Sequence, residues 1–113
     1  MRIMRFEDAR SYDAADHFGM HGLRLFPPVG EEPQGGALIC GVSHFLPGGG
    51  AQMKASPRVR FYFLLSGEIT IGTNGSADIL KKNDSCMIPP GEQRSILNHT
   101  NDVATMLVVI AEE

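Results

Sequence analysis

The sequence has no tryptophan, only two cysteines and no long apolar run, and each shortage argues against a class of protein. No stretch approaches the ~20 apolar residues that a transmembrane helix needs, so we expect no membrane partner. The first residues lack the apolar core of a signal peptide, which favours a cytoplasmic location. Cys40 and Cys86 have no C-x-x-C spacing, which is typical of reduced thiols that pack as small apolar side chains.

The chain is also short of positive charge. Ten Lys and Arg against 13 Asp and Glu give a net charge of -3, whereas a nucleic-acid-binding domain usually carries a strongly basic face. We therefore expect no nucleic acid as a partner. A length of 113 residues predicts a single domain over residues 1–113. We expect an irregular N-terminal segment with edge strands at 1–36 and a barrel core at 37–110.

Turn-forming residues are abundant. Thirteen glycines and seven prolines separate short apolar runs rich in Val, Ile and Phe, such as VRFYFLL at 59–65 and VATMLVVI at 103–110. Short strands punctuated by turns are typical of an all-β sandwich or barrel. Asn74-Gly75 lies between two such runs and predicts a tight hairpin.

The runs at 59–65 and 103–110 are apolar on both alternating faces. A half-exposed antiparallel sheet normally has one polar face. Because a chain of this size has no helices to cover the outer face, we predict that a second copy covers it in a homodimer. The alternative is a central strand with one apolar face partly exposed.

The sequence contains two groups of residues, each with a characteristic spacing. The first has Gly48 and Gly67 flanking positions 54, 56 and 60, and the second has Pro89, Gly91, position 94 and Asn98. In order and spacing this frame resembles the cupin superfamily, in its small single-domain microbial form, over roughly residues 37–110. The resemblance implies a double-stranded β-helix, that is, a jelly-roll barrel.

The resemblance also implies a metal site whose four ligands lie at positions 54, 56, 60 and 94. Here those positions hold Lys54, Ser56, Arg60 and Arg94. A metal ligand must offer a lone pair, and a guanidinium has none. We therefore expect no metal and no other cofactor at this place.

By resemblance the same four positions line the mouth of the barrel, where three cations would converge. Like charges gather only around an anion, supplied by the protein or by a ligand. We therefore predict a pocket for a small anionic molecule, which would be a carboxylate, a sugar acid or a phosphate. Its predicted ligand-binding residues are Lys54, Ser56, Arg60, Arg94, Asn98 and Met53. The alternative is a packed barrel with a basic rim and no ligand.

The sequence leaves open whether the protein is an enzyme. Arginines would stabilise negative charge, and Lys54, Tyr62 and His44 are the candidate catalytic proton carriers, which suits a metal-independent isomerase, lyase or cyclase. A second hypothesis is a non-catalytic sensor or accessory dimer. A third is a metal-dependent cupin, of the dioxygenase or isomerase type, with substitute ligands such as His44 and Glu92.

Overall fold

The computed structural model describes residues 1–111, and almost all of its regular structure is β-strand. One 3-10 turn covers Phe6–Asp8, and no helix among residues 1–111 is long and apolar enough to cross a membrane. The strands are β1 (Arg10–Tyr12), β2 (His17–Phe26), β3 (Leu38–Lys54), β4 (Arg60–Ser66), β5 (Glu68–Thr73), β6 (Ser76–Lys81), β7 (Ser85–Ile88), β8 (Arg94–Leu97) and β9 (Ala104–Ala111).

β3 organises the barrel because it belongs to both halves of the sheet. Its first part, Leu38 to Phe45, pairs with β9, and its last part, Gly50 to Lys54, pairs with β8. The strand order is β6-β5-β8-β3-β9-β4-β7, with β2 also on β3 and β1 on β2. All pairs are antiparallel. This nearly closed barrel confirms the predicted all-β jelly-roll fold.

The Asn74-Gly75 turn joins β5 and β6 as predicted. Thr73 and Ser76 are the last paired residues on either side, and Gly75 has φ +84°, a backbone conformation that glycine adopts without steric cost.

The N-terminal part is more regular than the sequence suggests. β2 is a continuous ten-residue strand, and it lies between β1 and β3 in the sheet.

The core fills the inside of the barrel. Side chains alternate between the two faces of a strand, and the inward positions of β3, β4, β5 and β9 supply Phe45, Leu64, Ile69 and Met106, which are fully buried. On β4 the inward set also includes Arg60 and Tyr62. The core therefore has an apolar end and a polar end, and the polar end is where the candidate site lies.

The outer face of the sheet is apolar across several strands. Met87, Phe61 and Val109 are cross-strand neighbours on β7, β4 and β9, and Phe61 is 37% exposed while Met87 is 66% exposed. Phe63 and Leu107 form the next pair on the same strands.

The homodimer stays a prediction, and this face is where a second copy would pack. Sedimentation of the purified protein should give twice the chain mass; a monomer at all concentrations would contradict it.

Asn98 links β3 to the turn that follows β8. Its side chain is 1% exposed and donates to the carbonyls of Phe45 and Asp102 at 3.0 and 2.8 Å. Its Oδ1 accepts from the backbone N–H and hydroxyl of Thr100. These hydrogen bonds give Asn98 a structural role, and its predicted contact with a ligand stays a prediction.

Replacing Asn98 by alanine should lower the free energy of unfolding by about 2–4 kcal/mol, because buried carbonyls lose their donors and a cavity is left. Asn101→Ala, at an exposed position in the turn that follows β8, is the control and should change it by less than about 0.5 kcal/mol. Urea unfolding measures both, and equal midpoints would contradict the prediction.

Candidate functional site

A cavity of about 130 Å³ lies inside the polar end of the barrel. Its walls combine an apolar floor with a few polar groups, which is the usual composition of a small-molecule site. The floor includes Phe45, Ile96 and Met106, and the polar lining consists of Tyr12, His17, Ser43, Arg60, Tyr62 and Arg94. An apolar cavity of ~150 Å³ is large enough for benzene. This cavity therefore suits a ligand of similar size.

Arg94 enters the cavity from the start of β8. It is 6% exposed, and its Nε donates to the Tyr62 hydroxyl at 2.7 Å. Its Nη1 donates to the carbonyl of Gln52 at 3.0 Å. Because the Tyr62 oxygen accepts from Arg94, its own O–H is directed elsewhere and is available as a donor.

Arg60 enters from the start of β4 and is even more buried, at 4% exposed. Its Nη2 donates to the carbonyls of Glu92 and Lys54 at 2.9 and 3.3 Å. Its Nε is buried and has no hydrogen-bond partner within the described part of the chain. Burial holds the pKa of Arg60 below its usual value; Arg94 acts in the same direction, whereas Tyr62 and Glu92 oppose it. An arginine nevertheless stays charged in a protein.

Within the described part of the chain, no Asp or Glu side chain forms an ion pair with either guanidinium group. Among residues 1–111 the ion pairs are Arg2 with Glu31 and Lys54 with Asp16, and neither involves Arg60 or Arg94. The lining of the cavity contains no Asp or Glu side chain. Two buried cations therefore share one small space, and a buried donor faces no acceptor from the described residues.

His17 lines the same cavity, and the sequence reasoning missed it. His17 is the first residue of β2 and is paired with Ala51, which is paired in turn with Ile96 on β8. Burial lowers the pKa of His17, and the nearby Arg94 and Arg60 add to the effect, so the imidazole is neutral at pH 7. No local sequence signal marks His17, because only the register of β2 on β3 brings it to the cavity.

Lys54 and Ser56, two of the predicted ligand-binding residues, are not in the cavity lining. Lys54 Nζ lies 2.7 Å from Asp16 Oδ2, with 56% of its side chain exposed. The hydrogen bond and the charge of Lys54 lower the pKa of Asp16. Ser56 Oγ accepts from the backbone N–H of Arg58 in the loop after β3. The amine of Lys54 is thus paired with a protein carboxylate, and its catalytic role stays a prediction.

Met53 and His44 are also outside the cavity lining. Met53 is 44% exposed. His44 lies between two inward residues, Ser43 and Phe45, so alternation places it on the outer face of the barrel. There its Nδ1 is 3.0 Å from the Thr105 hydroxyl and its ring stacks on His21. Strand parity therefore places His44 away from this cavity, and its catalytic role stays a prediction that this geometry does not support.

The two cysteines are free thiols, as their spacing in the sequence predicts. Cys40 and Cys86 are both free and half-buried, and burial raises the pKa of each thiol. A raised pKa keeps the sulfur in its less reactive thiol form at neutral pH.

The family model for the cupin domain matches residues 41–110. The chain belongs to the cupin family. Over 111 residues this cupin is also 31% identical to a beta-D-galactosidase of Mycobacterium tuberculosis, a match that covers 98% of this chain and 94% of that protein.

Solved structures show the same fold at low identity. An RmlC-like cupin from Shewanella frigidimarina has a TM-score of 0.79 at 15% identity and covers 100% of this chain and 92% of its own. The polyketide cyclase RemF from Streptomyces resistomycificus has a TM-score of 0.83 at 15% identity, covering 100% and 80%. A predicted oxalate decarboxylase from Thermotoga maritima has a TM-score of 0.79 at 19% identity, covering 99% and 100%.

The residues of this cupin do not fit the metal that the family resemblance implies. Two of the four expected ligand positions hold the guanidinium groups of Arg60 and Arg94, which carry positive charge into the site and offer no lone pair. Of the two predicted substitute ligands, His44 faces outward, and Glu92 is not among the residues that line the cavity. Among residues 1–111 no three His, Cys, Asp or Glu side chains are close enough to hold a metal ion.

Proposed function

We propose that this cupin binds a small anion in the barrel cavity through Arg60 and Arg94, without the metal of the family. The observation that carries the proposal is the buried Nε of Arg60, which has no partner among residues 1–111. Leaving a buried charged donor without an acceptor costs free energy, and an anion in the cavity would supply the acceptor. Carboxylates and phosphates match the planar fork of a guanidinium.

The size of the cavity limits the ligand. A space of about 130 Å³ suits a small carboxylate, a compact sugar acid or a phosphate. The apolar floor of Phe45, Ile96 and Met106 would contact the carbon part of the molecule. A small carboxylate with a few carbon atoms therefore uses both parts of the cavity better than inorganic phosphate does.

Calorimetric titration tests the proposal with pyruvate, malonate, gluconate and inorganic phosphate. At least one should bind at one site per chain, and uncharged galactose should not. Absence of binding by all four anions would contradict the proposal.

The proposal also states that the site holds no metal. Incubation with Fe, Mn, Zn, Ni or Cu salts, followed by desalting and elemental analysis, tests this statement. One retained ion per chain would contradict a metal-free site.

A second candidate function is hydrolysis of a β-galactoside, which rests on the 31% identity to the beta-D-galactosidase. Most glycosidases use a pair of carboxylates beside the sugar, and the cavity lining has none. Turnover of nitrophenyl β-D-galactoside by the purified protein would favour this function. Anion binding without turnover would favour the first.

A further inference from the structure

We propose that His17 is the general base of this site and removes a proton from a carbon atom of the bound carboxylate. The substrate class is a small carboxylate with an acidic C–H bond beside its carboxylate or beside a neighbouring carbonyl group. This inference rests on the proposed anion binding, and adds a reaction and a residue to it.

The hydrogen bonding of His17 fixes which ring nitrogen can act. Nδ1 lies 2.8 Å from the carbonyl oxygen of Ala15. A carbonyl oxygen only accepts, so Nδ1 carries the hydrogen, and in the neutral ring Nε2 keeps its lone pair. The ring also stacks on Phe45, with centroids 6.5 Å apart and planes 22° apart. His17 is thus held in one tautomer and one orientation at the cavity wall.

The other polar groups of the cavity suit the charge that such a reaction develops. When Nε2 takes the proton, the electrons of the C–H bond form a carbon–carbon double bond, and the carbonyl electrons move to its oxygen. The resulting enolate is more basic and more negative at oxygen than the substrate was. Arg60 and Arg94 would stabilise that oxygen, and the Tyr62 hydroxyl can donate to it.

Return of the proton from Nε2 to the same carbon, or to a neighbouring one, completes the cycle. In the first case Nε2 exchanges its proton with solvent before it returns one to the same face, which gives isotope exchange at carbon. In the second case the product is an isomer in which the double bond has moved. Both cases conserve protons and electrons and need no other reagent. The site therefore suits a proton-transfer isomerisation.

Hydrogen–deuterium exchange at carbon tests the inference without a known substrate. Pyruvate, 2-oxobutyrate and malonate are incubated with the protein in D₂O, and proton NMR follows the loss of their C–H signals. General base catalysis contributes ~10²–10⁴-fold. We expect at least one of these carboxylates to exchange at least about 100-fold faster than without protein.

The variant His17→Gln should lose at least about 100-fold of that acceleration, while calorimetry shows carboxylate affinity changed by less than about threefold. The control is His21→Gln, a histidine on the same strand that is absent from the cavity lining, and it should exchange like wild type. Equal exchange by His17→Gln and wild type would overturn the inference. Circular dichroism checks that both variants fold.

The pH profile of the wild-type protein gives a second test that needs no variant. Burial lowers the pKa of His17, with Arg94 and Arg60 acting in the same direction, and the Ala15 carbonyl and Asp16 opposing. The charged and titratable groups around the ring are Asp16, Tyr12, Arg60, Tyr62 and Arg94. Exchange should therefore rise with pH through a midpoint below about 6.5, the ordinary histidine value, and then level off. A rate that keeps rising with hydroxide well above that value would overturn the inference.

The outcomes separate the two proposals. If none of the carboxylates binds, anion binding fails and the role of His17 fails with it. If a carboxylate binds at one site per chain but does not exchange in the wild-type protein, anion binding stands and the role of His17 is overturned.

Discussion

Replacing Arg60 by methionine is expected to weaken the binding of a small carboxylate by about 10- to 100-fold. A hydrogen bond to a charged group contributes about 1.5–3 kcal/mol, and each ~1.4 kcal/mol is a factor of ten in affinity. Methionine keeps an apolar stem of similar length against the barrel wall but offers no donor. Arg94→Met should have an effect of the same size, and the double variant should show no measurable binding.

The control for this series is Arg5→Met, which removes the same charge from an exposed position outside the cavity lining. It should leave affinity within about twofold of wild type, because exposed charges are screened by salt. Calorimetric titration with the carboxylate that binds wild type most tightly measures every protein of the series. Equal weakening by Arg5→Met and Arg60→Met would show that the anion is attracted by overall charge and not held in the cavity.

The convergence of Arg60 and Arg94 was expected from the cupin resemblance, which rests on the spacing of glycines and prolines along the sequence. Arg60 and Arg94 are the first residues of β4 and β8. Both side chains line the cavity. The same resemblance placed positions 54 and 94 together at the mouth of the barrel, and Lys54 and Arg94 are paired across β3 and β8. The spacing of turn residues in the sequence therefore indicates the overall arrangement of the strands.

The spacing of turn residues does not show which groups each side chain contacts in the folded protein. Lys54 is the last residue of β3, and its amine is bound by Asp16, which lies 38 residues earlier in the chain. His44 was a candidate because its strand leads into the first glycine-flanked group and was expected to run through the barrel, but this does not show which face of the strand points inward. His17 reaches the cavity only through the pairing of β2 with β3. Contacts of this kind depend on register between distant strands, which a single sequence does not display.

A large effect on stability is expected at Gly50, where β3 pairs with β8. A Cβ at this position would overlap the carbonyl oxygen of Ile96 and lie 3.0 Å from Cα of Leu97. Both are backbone atoms of β8, so no side-chain rotation can relieve the overlap. Gly50→Ala should therefore lower the free energy of unfolding by about 2–4 kcal/mol.

The same substitution should also weaken anion binding, because β8 carries Arg94 and Ile96 into the cavity and would have to move away from β3. Gly35→Ala is the matched control, since a Cβ there meets nothing within 4 Å and its φ lies outside the positive range. It should change the free energy of unfolding by less than about 0.5 kcal/mol. Urea unfolding measures stability, and carboxylate titration of the folded protein measures binding. If Gly50→Ala were as stable as Gly35→Ala, β8 would not be held against β3 as described, and the position of Arg94 in the cavity would lose its support.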